Sequence, residues 1–360
     1  MKRPTRRNFI QTGLQIIFSG LWAIFSSFHI REKEPGKENE SLLKKKINAG
    51  SHFDFDPSYL ESHRNGTLKQ RGEELWEIME NCQLCPRQCG VNKLRGERGF
   101  CEANAQLEIS AYAPHHGEEK PLRGTGGSGT IFLTNCSLRC VFCINWEISQ
   151  GGKGFDRSIR EMAGMMLDLQ KKGCHNINFV TPTHYSPHIL KAVDFAAGKG
   201  LRIPLVYNTC GWERVEILKK LEGIVDIYLP DFKYADAEMA DKFSSGADTY
   251  PEITKKALME MNRQVGVARP AKDGLMYRGL MIRHLVMPNR VSGSKAVVQW
   301  IAENLPKDTY LNIMSQYRPH YKAREYPDIN RRITRGEYGE VILWAKEAGL
   351  TNLDVQGYWW

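Results

Sequence analysis

Thr130-Ile131-Phe132-Leu133 runs directly into Thr134-Asn135-Cys136-Ser137-Leu138-Arg139-Cys140-Val141-Phe142-Cys143. The first four residues are β-branched or large and apolar, the composition of a short buried strand. The loop that follows carries three cysteines at x3 and x2 spacing. Three thiolates are one too few to close a four-coordinate shell around an iron-sulfur cluster or a structural zinc. Either one coordination position stays open, or a distant His or Cys completes a zinc knuckle. Placement straight after a strand favours the open form, because a knuckle more often sits between short hairpins.

Downstream of this loop the chain alternates β-rich runs with helical patterns, the mark of βα units building a parallel sheet. Strands are predicted at 130–133, 176–180, 203–207, 225–229, 281–286 and 310–314. Helices are predicted near 157–172, 187–199, 213–222, 249–266, 292–304 and 334–348, each with apolar residues three and four apart. Six units are too few to close an eightfold barrel. The expected fold is therefore α/β, a partial (β/α)6 barrel that binds its ligands at the carboxyl ends of its strands.

Further blocks carry a resemblance. They are His116 to Leu122, Gly126 to Phe132, Cys143-Ile144-Asn145-Trp146-Glu147-Ile148-Ser149, Val180-Thr181-Pro182-Thr183-His184, Tyr207-Asn208-Thr209-Cys210-Gly211, Asp231-Phe232-Lys233, His284 to Asn289 and Asn312 to Tyr317. With the three-cysteine loop they resemble the radical S-adenosylmethionine (SAM) superfamily, in a branch similar to pyruvate formate-lyase activating enzyme, over roughly residues 80 to 320. The resemblance implies a radical SAM barrel in which Cys136, Cys140 and Cys143 hold a [4Fe-4S] cluster. SAM would chelate the open iron and be cleaved reductively to a 5′-deoxyadenosyl radical. It further implies that Phe142 lies near the adenine and that Asn145, Thr181, Thr183, His184 and Asn208 contribute to the SAM site. Asp231 and Lys233 resemble an Asp-x-Lys motif of the activating enzymes, the alternative being a surface ion pair; His284 is a further candidate. Partners implied are an electron donor such as flavodoxin or ferredoxin and a protein substrate, with the backbone glycine of a glycyl radical enzyme as one target. Ile144 and Lys120 depart from that branch, and Thr181-Pro182-Thr183-His184 stands where many members have a Gly-Gly-Glu turn.

Ahead of the barrel, Cys82, Cys85, Cys89 and Cys101 are spaced to close a shell around zinc or an auxiliary Fe-S cluster. Cys174 and Cys210 stand alone in apolar surroundings and read as packed thiols. Such tight cysteine groups suit metal ligation better than a disulfide framework in a chain of 360 residues. At the amino terminus Thr5-Arg6-Arg7-Asn8-Phe9-Ile10 precedes the largely apolar stretch 13–28. That pattern is twin-arginine-like and suggests a membrane-attached or exported protein, with a cytoplasmic one as the alternative.

The expected organisation is a signal or anchor over 1–30, a polar linker over 31–75, a cysteine-rich metal-binding segment over 76–125, the barrel over 126–320, and a carboxyl-terminal helix and tail over 321–360. The net charge of +9 is spread along the chain and gives no strong nucleic-acid signal. The competing reading of the whole is a non-catalytic iron-sulfur electron carrier or metal-binding protein of the cell envelope.

Overall fold

The computed structural model describes residues 55–357. The twin-arginine-like segment, the apolar stretch 13–28 and most of the expected linker lie outside the described residues. One open sheet of nine strands organises the rest, in the order β3-β1-β2-β4-β5-β6-β7-β8-β9. Its centre is the expected parallel set: β2 (Ser128–Leu133), β4 (Ile177–Val180), β5 (Leu205–Thr209), β6 (Ile227–Pro230), β7 (Gly279–Leu285) and β8 (Tyr310–Met314). Each is followed by helix, and those helices are α3 (Ile159–Lys171), α4 (Ser186–Gly198), α5 (Val215–Leu221), α7 (Tyr250–Val265), α8 (Ser294–Asn304) and α9 (Arg335–Glu347). A short additional helix, α6 (Ala237–Phe243), follows β6.

Strands β1 (Leu107–His115) and β3 (Phe155–Arg157) extend one edge antiparallel, and β9 (Leu353–Val355) extends the other in parallel. The partial (β/α)6 barrel is thus present within a wider sheet. Strand β5 starts at Leu205, two residues later than expected; Pro204 before it lacks an N–H, though its carbonyl accepts from the Ile177 N–H at 2.9 Å.

The linker expected over 31–75 is corrected from residue 55 onward. Two helices, α1 (Tyr59–Arg64) and α2 (Thr67–Glu77), pack on the barrel with Tyr59, Leu60, Leu68 and Leu75 buried. Gly72 lets α2 approach α4, since a Cβ there would meet Lys191 Cγ at 3.3 Å. Asp226, buried at the start of β6, ties α1 to the sheet by accepting the N–H groups of Ser58 (2.8 Å) and Leu205 (2.9 Å). Among the described residues no helix is long and apolar enough to cross a membrane.

Alternation along the strands places the site. Leu205, Tyr207 and Phe179 belong to the large core shared with the helices. The opposite parity faces inward, and there the lower rungs are apolar: Val206, Ile227, Leu229, Met281 and Tyr310 pack together beneath the carboxyl ends. The next inward positions are Asn208, Asp231 and Arg283, with Asp231 bridged to Arg283 across the β6–β7 pair. At β5, β6 and β7 an apolar floor and a polar rim therefore follow from one two-residue period, whereas β2 and β4 place Thr130 and Asn178 at the floor level and Phe132 and Val180 at the rim.

Candidate active site

Above that floor opens a cavity of about 510 Å³ at the carboxyl ends of the parallel strands. Cys136, Cys140 and Cys143 line it together with Phe142, Asn145, Thr181, Asn208, Asp231 and Lys233. The structure thus brings nine of the expected site residues around one space.

The three-cysteine loop is held from several sides. Asn135, with φ of 68°, turns the chain out of β2. Its side chain donates to Glu108 Oε2 at 2.7 Å, and its N–H to the Ile148 carbonyl at 3.1 Å. The Val141 N–H donates to the Phe243 carbonyl at 2.9 Å, and Gln150 Nε2 to the Cys140 carbonyl at 2.8 Å. Each thiol also has a hydrogen-bonding neighbour: the Leu138 N–H at 3.4 Å from Cys136 Sγ, Ser244 Oγ at 3.1 Å from Cys140 Sγ, and Ser149 Oγ at 3.2 Å from Cys143 Sγ. Burial pushes the Cys140 thiol up to about 12, so the free thiolate is disfavoured unless a metal replaces the lost hydration.

Across the cavity a charged network sits on the polar rim. Arg283 Nε lies 2.9 Å from Asp231 Oδ1 and its Nη2 donates to Asn208 Oδ1 at 2.6 Å. Lys233 Nζ lies 2.6 Å from Asp231 Oδ2, and Glu118 Oε1 is 3.7 Å from Arg283 Nη1. Burial alone would raise the Asp231 carboxyl, but the Arg283 and Lys233 cations outweigh it and hold it below its usual range. Asp231 and Lys233 do form an ion pair, yet they form it inside the cavity and not on the surface. Burial lifts the neighbouring Glu119 to about 6, against the pull of Arg283.

Several expectations are corrected. Thr183 and His184 do not line the cavity; both are buried behind it. Thr183 donates to the buried carboxylate of Glu213, and His184 Nε2 donates to the Thr134 carbonyl at 2.8 Å, bracing the entry to the cysteine loop. Of that tetrapeptide only Thr181 reaches the cavity. Its φ of 60° is an outlier for a β-branched residue, held by its N–H on the Asn208 carbonyl at 3.0 Å. His284 is likewise interior, 2.6 Å from the Phe232 carbonyl and 2.8 Å from Ser294 Oγ. Cys210, read as a packed thiol, lines the cavity instead, because it lies one residue beyond β5 at the rim. Cys174 is buried as expected.

Glu118 and Arg283 were missed as site residues. The available signal was Arg283 itself, a lone cation inside the apolar strand Gly-Leu-Met-Ile-Arg-His-Leu. A charge there needs a partner on the same face.

Cys82, Cys85 and Cys101 are buried and Cys89 is exposed. Between them lies Lys93, which is only 1% exposed and whose Nζ meets Cys101 Sγ at 3.3 Å and the Ala103 carbonyl at 2.8 Å. Arg87 joins this segment to the first loop by donating to the carbonyls of Ser137 (3.1 Å), Ser244 (3.2 Å) and Ser245 (2.8 Å), with its guanidinium 3.9 Å from the Phe100 ring centroid. Among the described residues no three His, Cys, Asp or Glu side chains converge closely enough to hold one ion. A polynuclear cluster makes no such demand, since each of its cysteines ligates a different iron. The donor set Cys136, Cys140 and Cys143, soft thiols on one cavity wall, fits a cluster better than a zinc knuckle.

The family model described as the radical SAM superfamily matches residues 130–274. An uncharacterized protein of Methanocaldococcus jannaschii, MJ0674, is 34% identical over 316 residues, covering 84% of this chain and 84% of that protein. A second uncharacterized protein of the same organism, MJ0808, is 25% identical over 275 residues, covering 71% of this chain and 75% of its own length. Among solved structures, a radical SAM methyltransferase from Sphaerobacter thermophilus aligns with a TM-score of 0.45 and 12% identity over 62% of this chain and 66% of that one. Methylornithine synthase (PylB) aligns with a TM-score of 0.38 and 12% identity over 61% and 68%. Residues 130–274 are a radical SAM superfamily domain, and the chain belongs to one family with MJ0674.

Proposed function

We propose that this protein cleaves SAM reductively and uses the resulting radical to take a hydrogen atom from a substrate. The observation that carries the reading is the single cavity that joins Cys136, Cys140 and Cys143 to Phe142, Thr181, Asn208, Asp231 and Lys233 at the strand ends. A [4Fe-4S] cluster on the three cysteines would supply the electron that breaks the SAM sulfonium bond, giving methionine and a 5′-deoxyadenosyl radical. The chain's own residues hold and orient. Phe142, packed against Tyr317 with ring centroids 5.8 Å apart, offers an apolar face to an adenine. Thr181 and Asn208 offer polar groups beside it, and the Asp231–Lys233–Arg283 network presents charge of both signs to the amino and carboxylate groups of SAM or of a substrate. No general base is required for hydrogen-atom transfer.

The likeness in sequence blocks to pyruvate formate-lyase activating enzyme supports a protein substrate, the backbone glycine of a partner enzyme, with flavodoxin or ferredoxin as electron donor. Cys82, Cys85, Cys89 and Cys101 would hold a second centre, and their lack of convergence on one point supports an auxiliary cluster over zinc. The buried Lys93 ammonium beside Cys101 supports an anionic, thiolate-ligated site, because a buried cation needs a counter-charge. The test is anaerobic reconstitution with iron and sulfide followed by dithionite and SAM. Formation of 5′-deoxyadenosine and methionine supports the reading. Intact SAM beside a fully assembled cluster would favour an electron carrier of the envelope.

A further inference from the structure

The hydrogen-bonding contacts to the three cysteine sulfurs are asymmetric. Cys136 has a backbone donor, whereas Cys140 and Cys143 face serine hydroxyls. Ser244 is fully buried at the carboxyl end of α6, where its N–H closes the helix on the Ala240 carbonyl at 2.9 Å and leaves the hydroxyl free to turn toward the loop. Tyr234, also fully buried, places its hydroxyl 2.9 Å from Ser244 Oγ. Its ring is fixed edge-on to Tyr250, with centroids 5.5 Å apart. A cysteine that ligates iron has no proton to give, so in the loaded protein Ser244 must donate to Cys140. Tyr234 must then donate to Ser244. The chain Tyr234 O–H to Ser244 O–H to Cys140 Sγ has one direction.

We propose that Ser244, oriented by Tyr234, is a positioning residue that raises the reduction potential of the cluster through Cys140. The proposal rests on the reading of Cys140 as a cluster ligand. A donor on a ligating sulfur withdraws electron density and stabilises the more negative, reduced state. The dry surroundings strengthen the bond, and relayed polarisation from Tyr234 adds to it. The effect is directed at the electron that enters the cluster, so it is read in the potential before any turnover.

The experiment is a potentiometric titration of the full reconstituted protein, following the electron paramagnetic resonance signal that changes on SAM addition. This selects the cluster with the open iron over any centre on Cys82, Cys85, Cys89 and Cys101. Ser244→Ala is expected to bind the same iron and sulfide but to lower the midpoint about tenfold in the reduction equilibrium, about 59 mV for one electron. Ser244→Thr restores the potential, and Tyr234→Phe lowers it by less than Ser244→Ala. Should Ser244→Ala fail to load, a lowered midpoint in Tyr234→Phe still supports the relay, and an unchanged one overturns it. A loaded Ser244→Ala cluster at the wild-type potential overturns the proposal while leaving Cys140 as a ligand. A wild type that assembles no SAM-responsive cluster overturns the ligand reading itself, and shows in the iron and sulfide content.

Discussion

Asp231 lies between two cations, Lys233 and Arg283, and neither has another carboxylate as near. Replacing it by asparagine leaves both charges buried, so Asp231→Asn should destabilise the fold by about 3 kcal/mol in denaturant unfolding and abolish SAM cleavage. Stability close to wild type would mean that water reaches the pair. Glu213 makes the opposite case. Its carboxylate is fully buried, accepts from Thr183 and Thr209, and burial raises it from 4.5 to about 7. The folded chain therefore keeps a proton between those values that the unfolded chain has released, and stability falls as pH rises across that window, by about 1.4 kcal/mol per pH unit. Glu213→Gln keeps the acceptor and removes the charge. Its melting temperature should exceed wild type at pH 8 and match it near pH 4.5. Equal differences at both pH values would contradict the burial argument. Residues such as these were the least legible from sequence. Thr183, His184 and His284 each sit beside the motif, and only the direction of the side chain separates a bracing contact from a ligand contact.

At the scale of elements, the six parallel strands and the helices between them were legible because each is a strongly periodic run bounded by turn residues. The missed elements share a physical cause. Strand β1 pairs on both sides yet exposes its middle, carries Pro114, and shifts register between Ile109 and Ala111, so its alternation is blurred. Strands β3 and β9 have three residues each. Helix α2 hides its buried stripe, Leu68, Gly72, Leu75, because one of the three is glycine and the intervening residues are polar or charged. If that stripe is core, Leu75→Ala should cost about 2–5 kcal/mol in denaturant unfolding. A change under about 0.5 kcal/mol would return the segment to the status of a linker. Arg283 shows the same logic in reverse, since the alternation of β7 places it on the inward face with Asp231.

The described residues form a sheet whose inward face changes from apolar to polar along β5, β6 and the start of β7, with two cysteine groups that Arg87 fastens together. The three-cysteine loop was legible as a metal site because its spacing leaves one ligand missing, and the resemblance of the blocks around it implied a cluster. The cavity was not legible, since Glu118, Arg283 and Cys210 come from separate units of the chain and meet only at the strand ends. The central claim is that this rim cleaves SAM at a cluster on Cys136, Cys140 and Cys143. It is tested most directly by reconstituting wild type and Cys140→Ala anaerobically, adding dithionite and SAM, and separating the products by chromatography. The account predicts 5′-deoxyadenosine and methionine from the wild type alone. Equal yields from the two proteins, or intact SAM with a fully loaded wild-type cluster, would contradict it.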